Sequence, residues 1–71
     1  MIQGLYKHYK GGIYQVITVA KHTETMEDMV IYRSMHDLKI WARPKDMFES
    51  RVIVNKKEEN RFGFIGVLNE F

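Results

Sequence analysis

The sequence predicts a mainly β protein, a small SH3-like antiparallel barrel of about five strands with one short helix. Short apolar stretches alternate with polar or glycine-containing segments, which is typical of short strands joined by turns. A Gly11-Gly12 pair separates the first two stretches, and the single proline, Pro44, follows the fourth. The 71 residues leave room for one hydrophobic core, because two cores would need roughly 50 residues each.

The first predicted element is a β-hairpin. Residues 5–10 are rich in tyrosine, and residues 13–20 are rich in β-branched side chains. The two glycines between them supply the positive φ angles that a two-residue hairpin turn requires. Such a turn would set residue 8 opposite residue 15 and residue 6 opposite residue 17.

The second strand of this hairpin is mostly apolar on both faces. One face is predicted to carry Tyr14, Val16, Thr18 and Ala20, because side chains alternate along a strand. The other face is predicted to carry Ile13, Gln15, Ile17 and Val19. A strand with two apolar faces is expected at the centre of a sheet.

Residues 29–33 are predicted to form the third strand. A helix is the rival interpretation, because Thr25 and Asp28 have the spacing of a capping box and Ile31, Met35 and Leu38 recur at helical intervals. We prefer the strand, since four consecutive apolar residues that include Val, Ile and Tyr suit a buried strand.

The fourth strand and the helix follow directly. Residues 38–43 alternate in character after a turn at His36-Asp37. Pro44 favours the first position of a helix, which we expect to run to about residue 49. Met47 and Phe48 would then plug an open end of the barrel, and residues 51–54 form the last strand.

We expect residues 1–60 to form the single β-barrel domain and residues 61–71 to be a C-terminal tail or an extra edge strand. Residues 55–60 are predicted to be a charged turn. Gly63 and Gly66 weaken the strand interpretation of the tail. The segment is apolar enough to pair with a second copy of the chain, so the protein is expected to be a monomer or a homodimer.

Composition excludes several classes of function. Without cysteine there are no disulfides, cysteine-ligated zinc, iron–sulfur clusters or thiol catalysis, and a reducing compartment is the simpler assumption. No apolar run has the length of a signal peptide or of the roughly 20 residues that cross a bilayer. We therefore expect a cytoplasmic protein with no membrane partner. A net charge of +2 indicates a mixed surface.

The chain also resembles a known family through a series of residues at matching spacing. These residues are Tyr6, His8, Tyr9, Lys10, Gly11, Tyr14, Val16, Ala20, His22, Thr23, Glu24, Thr25, Tyr32, Trp41, Arg43, Pro44, Met47 and Phe48. The family is catalogued as domain of unknown function 1653 and is found in bacteria and phages. The resemblance implies a small β-rich fold and no known activity. The chain departs from the pattern at residues 36–39, where the family usually has a glycine-bearing turn, and the tail from about Arg61 lies outside it.

The leading functional hypothesis is a non-enzymatic module that binds a polar ligand or a protein partner and needs no cofactor. Trp41 and Arg43, two residues apart on one strand face, could form a pocket for a carboxylate, a phosphate or a peptide. The predicted ligand-binding residues are His8, Tyr9, His22, Glu24, Thr25, Tyr32, Trp41 and Arg43. In the structural alternative, Trp41 caps the barrel and Arg43 pairs with Glu24 or Glu27.

Two other functions are weighed against this hypothesis. Nucleic-acid binding would use Lys7, Lys10, Lys21 and Arg43, since cations neutralise phosphates while aromatic rings stack on bases. A metal-assisted hydrolase would need His8, His22 and Glu24 in one site. The sequence contains no strong metal-ligand spacing, so no metal site is predicted. The structural alternative is that His22 satisfies backbone groups of a tight loop.

Overall fold

The computed structural model describes residues 1–67, and this part of the chain is mainly β, as predicted. Its elements are β1 (Gly4–His8), β2 (Ile13–Lys21), β3 (Asp28–Ser34), β4 (Ile40–Pro44), α1 (Lys45–Phe48), β5 (Arg51–Val54), β6 (Lys57–Asn60) and β7 (Phe62–Gly66). No helix among these residues is long and apolar enough to cross a bilayer.

Five strands form one antiparallel sheet in the order β4-β3-β2-β1-β7, and β5 pairs with β6 in a separate two-stranded sheet. The central position predicted for β2 is confirmed. The third strand is also confirmed, and the rival helix through residues 26–38 is wrong.

The register predicted for the first hairpin is wrong. Lys7 lies opposite Ile13 and Tyr6 opposite Tyr14, so the connection is longer than two residues. The Gly11 N–H donates to the His8 carbonyl at 2.8 Å, which places Tyr9 and Lys10 at the centre of the turn. Both glycines do adopt positive φ, at 101° and 87°, but they lie on the return side of the turn.

A β-bulge in β2 changes which side chains share a face. The register between β2 and β3 shifts between Val16 and Thr18, so Val16 lies opposite Tyr32 while Val19 lies opposite Val30. Val30 and Tyr32 both point into the core. The predicted single face of Tyr14, Val16, Thr18 and Ala20 is therefore divided at the bulge, beyond which the exposed Val19 lies on the same face as Val30.

The core lies on the concave face of the five-stranded sheet. It contains Tyr6, Val16, Val30, Tyr32, Phe48 and Phe62. Phe48 reaches it from α1 and stacks on Phe62 with the ring centroids 4.1 Å apart. Only half of the predicted plug is formed, because Phe48 is fully buried whereas Met47 is exposed.

The predicted barrel is not closed: β4 and β7 are the outer strands of the sheet in residues 1–67. Four strand intervals would separate them by about 19 Å in a flat sheet. Nevertheless, the Arg43 guanidinium of β4 lies 5.4 Å from the Phe62 ring of β7. The sheet is thus strongly curved, but within the described residues no hydrogen bonds join its edge strands. The SH3-like classification stays a prediction.

β7 forms despite its two glycines and pairs with β1 of the same chain. Gly4 permits this close pairing, because a Cβ atom there would lie 2.6 Å from the Gly66 carbonyl oxygen and its φ is +147°. The domain boundary at residue 60 and pairing with a second copy stay predictions. The last four residues of the predicted tail, 68–71, lie outside the described residues.

The charged turn predicted at residues 55–60 is wrong, because residues 57–60 form β6. The actual turn consists of Asn55 and Lys56, both with positive φ, which suits a tight two-residue hairpin. Arg51 pairs with Glu58 and donates to Asn60 across this hairpin. β6 lacks apolar residues, and polar side-chain contacts join it to β5.

Candidate ligand-binding site

The predicted binding residues occupy two separate regions. His22, Glu24 and Thr25 follow the end of β2, whereas His8 and Tyr9 lie beside its beginning. The eight steps from Ile13 to Lys21 span about 26 Å at a typical strand rise. The predicted ligand-binding residues therefore do not lie in one site.

The loop between β2 and β3 is ordered by its own polar groups. His22 Nδ1 accepts hydrogen bonds from the backbone N–H groups of Glu24 and Thr25, at 3.1 and 3.3 Å. The Thr25 hydroxyl donates to a Glu27 carboxylate oxygen at 3.2 Å. These contacts favour the structural interpretation of His22, in which the imidazole satisfies backbone donors.

A cleft of about 410 Å³ lies at the other end of the sheet. The lining residues are Gly12, Tyr14, Tyr32, Ser34, His36, Asp37, Trp41 and Arg43. Trp41 lies opposite Tyr32, and Arg43 lies opposite Val30, so both side chains of β4 point to the concave face. The predicted pairing of Trp41 and Arg43 on one face is therefore present.

Trp41 is half exposed, with 50% of its surface accessible, although Tyr32 across the strand pair is buried. Its position on an outer strand of the sheet leaves the indole without a covering layer in the described residues. The alternative in which Trp41 caps a barrel is wrong. The indole instead offers an aromatic surface at the mouth of the cleft.

Arg43 is half-buried and rests on Phe62, with its guanidinium carbon 5.4 Å from the ring centroid. The ion pairs found in residues 1–67 are Lys21 with Asp28 and Arg51 with Glu58. The predicted pairing of Arg43 with Glu24 or Glu27 is wrong. The aromatic contact positions the guanidinium while its charge has no carboxylate partner in this part of the chain.

Sequence reasoning missed several residues of the cleft, above all Tyr14 and Ser34. These two residues are cross-strand partners, and only the correct register would have brought them together. At the mouth, the Lys39 N–H donates to Asp37 Oδ1 at 3.0 Å, which holds the pKa of the Asp37 carboxyl below its ordinary value. One cation, Arg43, and one carboxylate, that of Asp37, thus line the cleft.

His8 lies between two aromatic rings, 4.7 Å from Tyr9 and 4.8 Å from Phe62. Burial lowers its pKa, and the charges of Arg43, Arg61 and Lys10 lower it further. The Lys10 N–H donates to His8 Nδ1 at 3.2 Å, so the neutral ring carries its proton on Nε2. His8 is therefore a neutral hydrogen-bond donor at pH 7.

The residues predicted for nucleic-acid binding do not form one surface. Lys21 pairs with Asp28 at 2.7 Å at the far end of β2. Lys7 alternates with the buried Tyr6 and so lies on the convex face. Of these four residues, Lys10 and Arg43 lie close enough to His8 to lower its pKa.

The residues predicted for a metal-assisted hydrolase do not form one cluster either. Within residues 1–67 there is no group of three or more His, Asp or Glu side chains that could hold a metal ion. His8 and His22 lie at opposite ends of β2.

Comparison with known sequences gives a match over residues 4–64 to the family described as "Protein of unknown function (DUF1653)". The chain belongs to this family. A crystal structure of a DUF1653 protein from Bordetella bronchiseptica is similar, with 26% sequence identity and a TM-score of 0.88 over 100% of this chain and 95% of that chain. A comparison with curated proteins finds no match.

The predicted resemblance to the DUF1653 family is thus confirmed. The matched stretch begins at Gly4, the first residue of β1, and ends within β7. It therefore includes the whole of the cleft between the β1–β2 turn and β4.

Proposed function

We propose that this DUF1653 chain is a small binding module that takes a planar, negatively charged ligand in the cleft beside Trp41 and Arg43. The observation that carries the proposal is the pair itself. A half-exposed indole and a guanidinium without an ion-pair partner in residues 1–67 project from alternate positions of one strand into the same cleft. A planar ligand stacks on the indole while its anionic group pairs with the guanidinium.

The size and rigidity of the cleft support a small ligand. Its volume of about 410 Å³ falls in the range of about 300–1,000 Å³ that is usual for small-molecule sites. The cation–π contact with Phe62 holds Arg43 in place before a ligand arrives. Binding then costs less side-chain entropy than it would with a mobile arginine.

Titration with planar carboxylates and phosphates, each beside an uncharged analogue, tests this function. Trp41 is the sole tryptophan, so its fluorescence reports on the cleft alone. We expect the anionic compounds to change the emission and to bind more tightly than their neutral analogues. Arg43→Gln should weaken anion binding about tenfold or more, because a charge-assisted hydrogen bond contributes roughly 1.5–3 kcal/mol.

Ile40→Ala is the matched control, since Ile40 is exposed on the same strand but faces the other side of the sheet. This substitution should leave the affinity unchanged. Equal affinities for charged and neutral compounds, or full binding by the Arg43→Gln variant, would contradict the proposal.

Docking of a protein partner is the second candidate, because the open mouth beside Trp41 would also admit an aromatic side chain next to a carboxylate. A short acidic peptide with an aromatic residue is titrated in parallel. Binding of the peptide with no response to any small anion would favour the protein partner over the small ligand.

A further inference from the structure

Three basic side chains from separate parts of the chain lie close to the rings of Tyr9 and Phe62, next to the cleft. Lys10 Nζ lies 5.7 Å from the Tyr9 ring centroid, and the guanidinium carbon of Arg61 lies 5.9 Å from the same ring. Arg43 lies 5.4 Å from the ring of Phe62. His8 contacts both rings, so Lys10, Arg43 and Arg61, which we call the basic cluster, converge around it.

No carboxylate forms an ion pair with the basic cluster in the part of the chain that the structure describes, although Asp37 lines the same cleft as Arg43. The ion pairs there involve Lys21 and Arg51 as cations. Glu58 and Glu59 line a groove together with His8 and Tyr9. Glu58 pairs with Arg51, and Glu59 forms no ion pair with the cluster within residues 1–67. The lowered pKa of His8 agrees with this distribution, because all three cations of the cluster contribute to it after burial.

Arg61 is held in a defined position. Its Nε–H donates to the Ser50 hydroxyl at 2.8 Å, and its backbone N–H donates to the Ser50 carbonyl at 3.0 Å. The Tyr9 N–H in turn donates to the Arg61 carbonyl at 2.9 Å. One guanidinium donor is therefore used for positioning, and the two terminal amino groups are left to bind an anion.

The chemistry of the basic cluster fits a phosphate group. A phosphate monoester carries close to two negative charges and three acceptor oxygens, which match several converging cations and the Nε2–H donor of His8 better than a carboxylate does. We infer that Lys10, Arg43 and Arg61 form a phosphate-binding site around His8 and that the ligand of the cleft is a nucleoside phosphate. Arg43 belongs to both the cluster and the cleft, so it joins the phosphate to a base stacked on Trp41. The nucleoside part of this inference rests on the proposed function, whereas the phosphate part does not.

The test compares AMP, adenosine and inorganic phosphate by calorimetry and by amide chemical shifts, in a buffer free of other oxyanions. We expect AMP to bind more tightly than adenosine. Lys10→Gln and Arg61→Gln should each weaken AMP binding about tenfold while leaving adenosine binding unchanged. Lys57→Gln, the same charge change on the exposed strand β6, is the control and should bind AMP normally.

The two variants guard against a folding artefact. Arg61 supports Ser50, so Arg61→Gln must be compared by its thermal unfolding, whereas Lys10 is exposed in a turn and can be replaced without loss of packing. A loss with Lys10→Gln that matches the loss with Arg61→Gln supports the site. AMP binding no tighter than adenosine, or an equal loss with Lys57→Gln, overturns the inference.

The same set of compounds also distinguishes a failure of this inference from a failure of the proposed function. In one outcome, inorganic phosphate shifts the amide signals of Lys10 and Arg61 while adenosine and AMP leave Trp41 unaffected. That result would support the phosphate site and would contradict ligand binding in the cleft. A single-stranded oligoadenylate distinguishes the source of the phosphate. Tighter binding by the oligonucleotide, with a steep dependence on salt, identifies nucleic acid, whereas a preference for AMP identifies a free nucleotide.

Discussion

Met47 and Phe48 are adjacent apolar residues of α1, yet only one of them stabilises the core. The Phe48 ring stacks on Phe62 and makes edge contacts with Tyr6 and Tyr32, each at 5.4 Å. Phe48→Leu should lower the free energy of unfolding by about 1–3 kcal/mol. The substitution removes three aromatic contacts worth roughly 0.5–1.5 kcal/mol each, whereas the leucine side chain keeps part of the buried apolar area and so reduces the loss. Urea unfolding followed by circular dichroism measures the loss. Met47→Ala, the control, should change it by about 0.5 kcal/mol or less, since Met47 is exposed.

At the level of elements, the turn between β3 and β4 contains strain that a glycine would relieve. Leu38 has a φ of 62° and is exposed, and its N–H donates to the Ser34 carbonyl at 2.8 Å. A left-handed conformation costs an L-residue roughly 1–2 kcal/mol. Leu38→Gly should therefore raise the midpoint of thermal unfolding. Leu38→Ala keeps the strain and should not, and an equal gain from both variants would assign the effect to lost surface hydrophobicity instead.

The elements themselves were largely predictable, whereas their pairing was not. Apolar runs identified β2, β3 and β4, and Pro44 marked the start of the helix. A Gly-Gly pair is compatible with a two-residue turn and with the longer connection centred on Tyr9 and Lys10, so the sequence did not determine the register. β6 lacks apolar residues and depends on its pairing with β5, which no local pattern reveals.

The candidate site depends on the shape of the whole molecule. Alternation along β4 predicted that Trp41 and Arg43 share a face, but the approach of Arg43 to Phe62 requires the curvature of the entire sheet. Arg61 lies outside the local motifs and joins the site only because β7 pairs with β1. Contacts between residues distant in sequence have no periodic signal, which explains why the basic cluster was missed.

His8 lies at the junction of β1, β4 and β7, so its titration reports on how these strands fit together. Burial and the charges of Arg43, Arg61 and Lys10 lower its pKa from the ordinary 6.5. The unfolded chain therefore binds a proton at His8 at a higher pH than the folded chain does. Stability should be constant above this range and should fall as the pH drops through about 6.5 toward the lower folded pKa.

The measurement compares the wild type with His8→Gln by urea unfolding between pH 7.5 and 5. His22 and His36 are present in both proteins, so the difference between the two curves isolates His8. The carboxyls of Asp28 and Asp37 have pKa values below their ordinary 3.8 and lose their contributions only at more acidic pH. We expect the wild type to lose stability relative to His8→Gln as the pH falls. Parallel curves would show that neither burial nor the three cations lower the pKa of His8 in the folded protein.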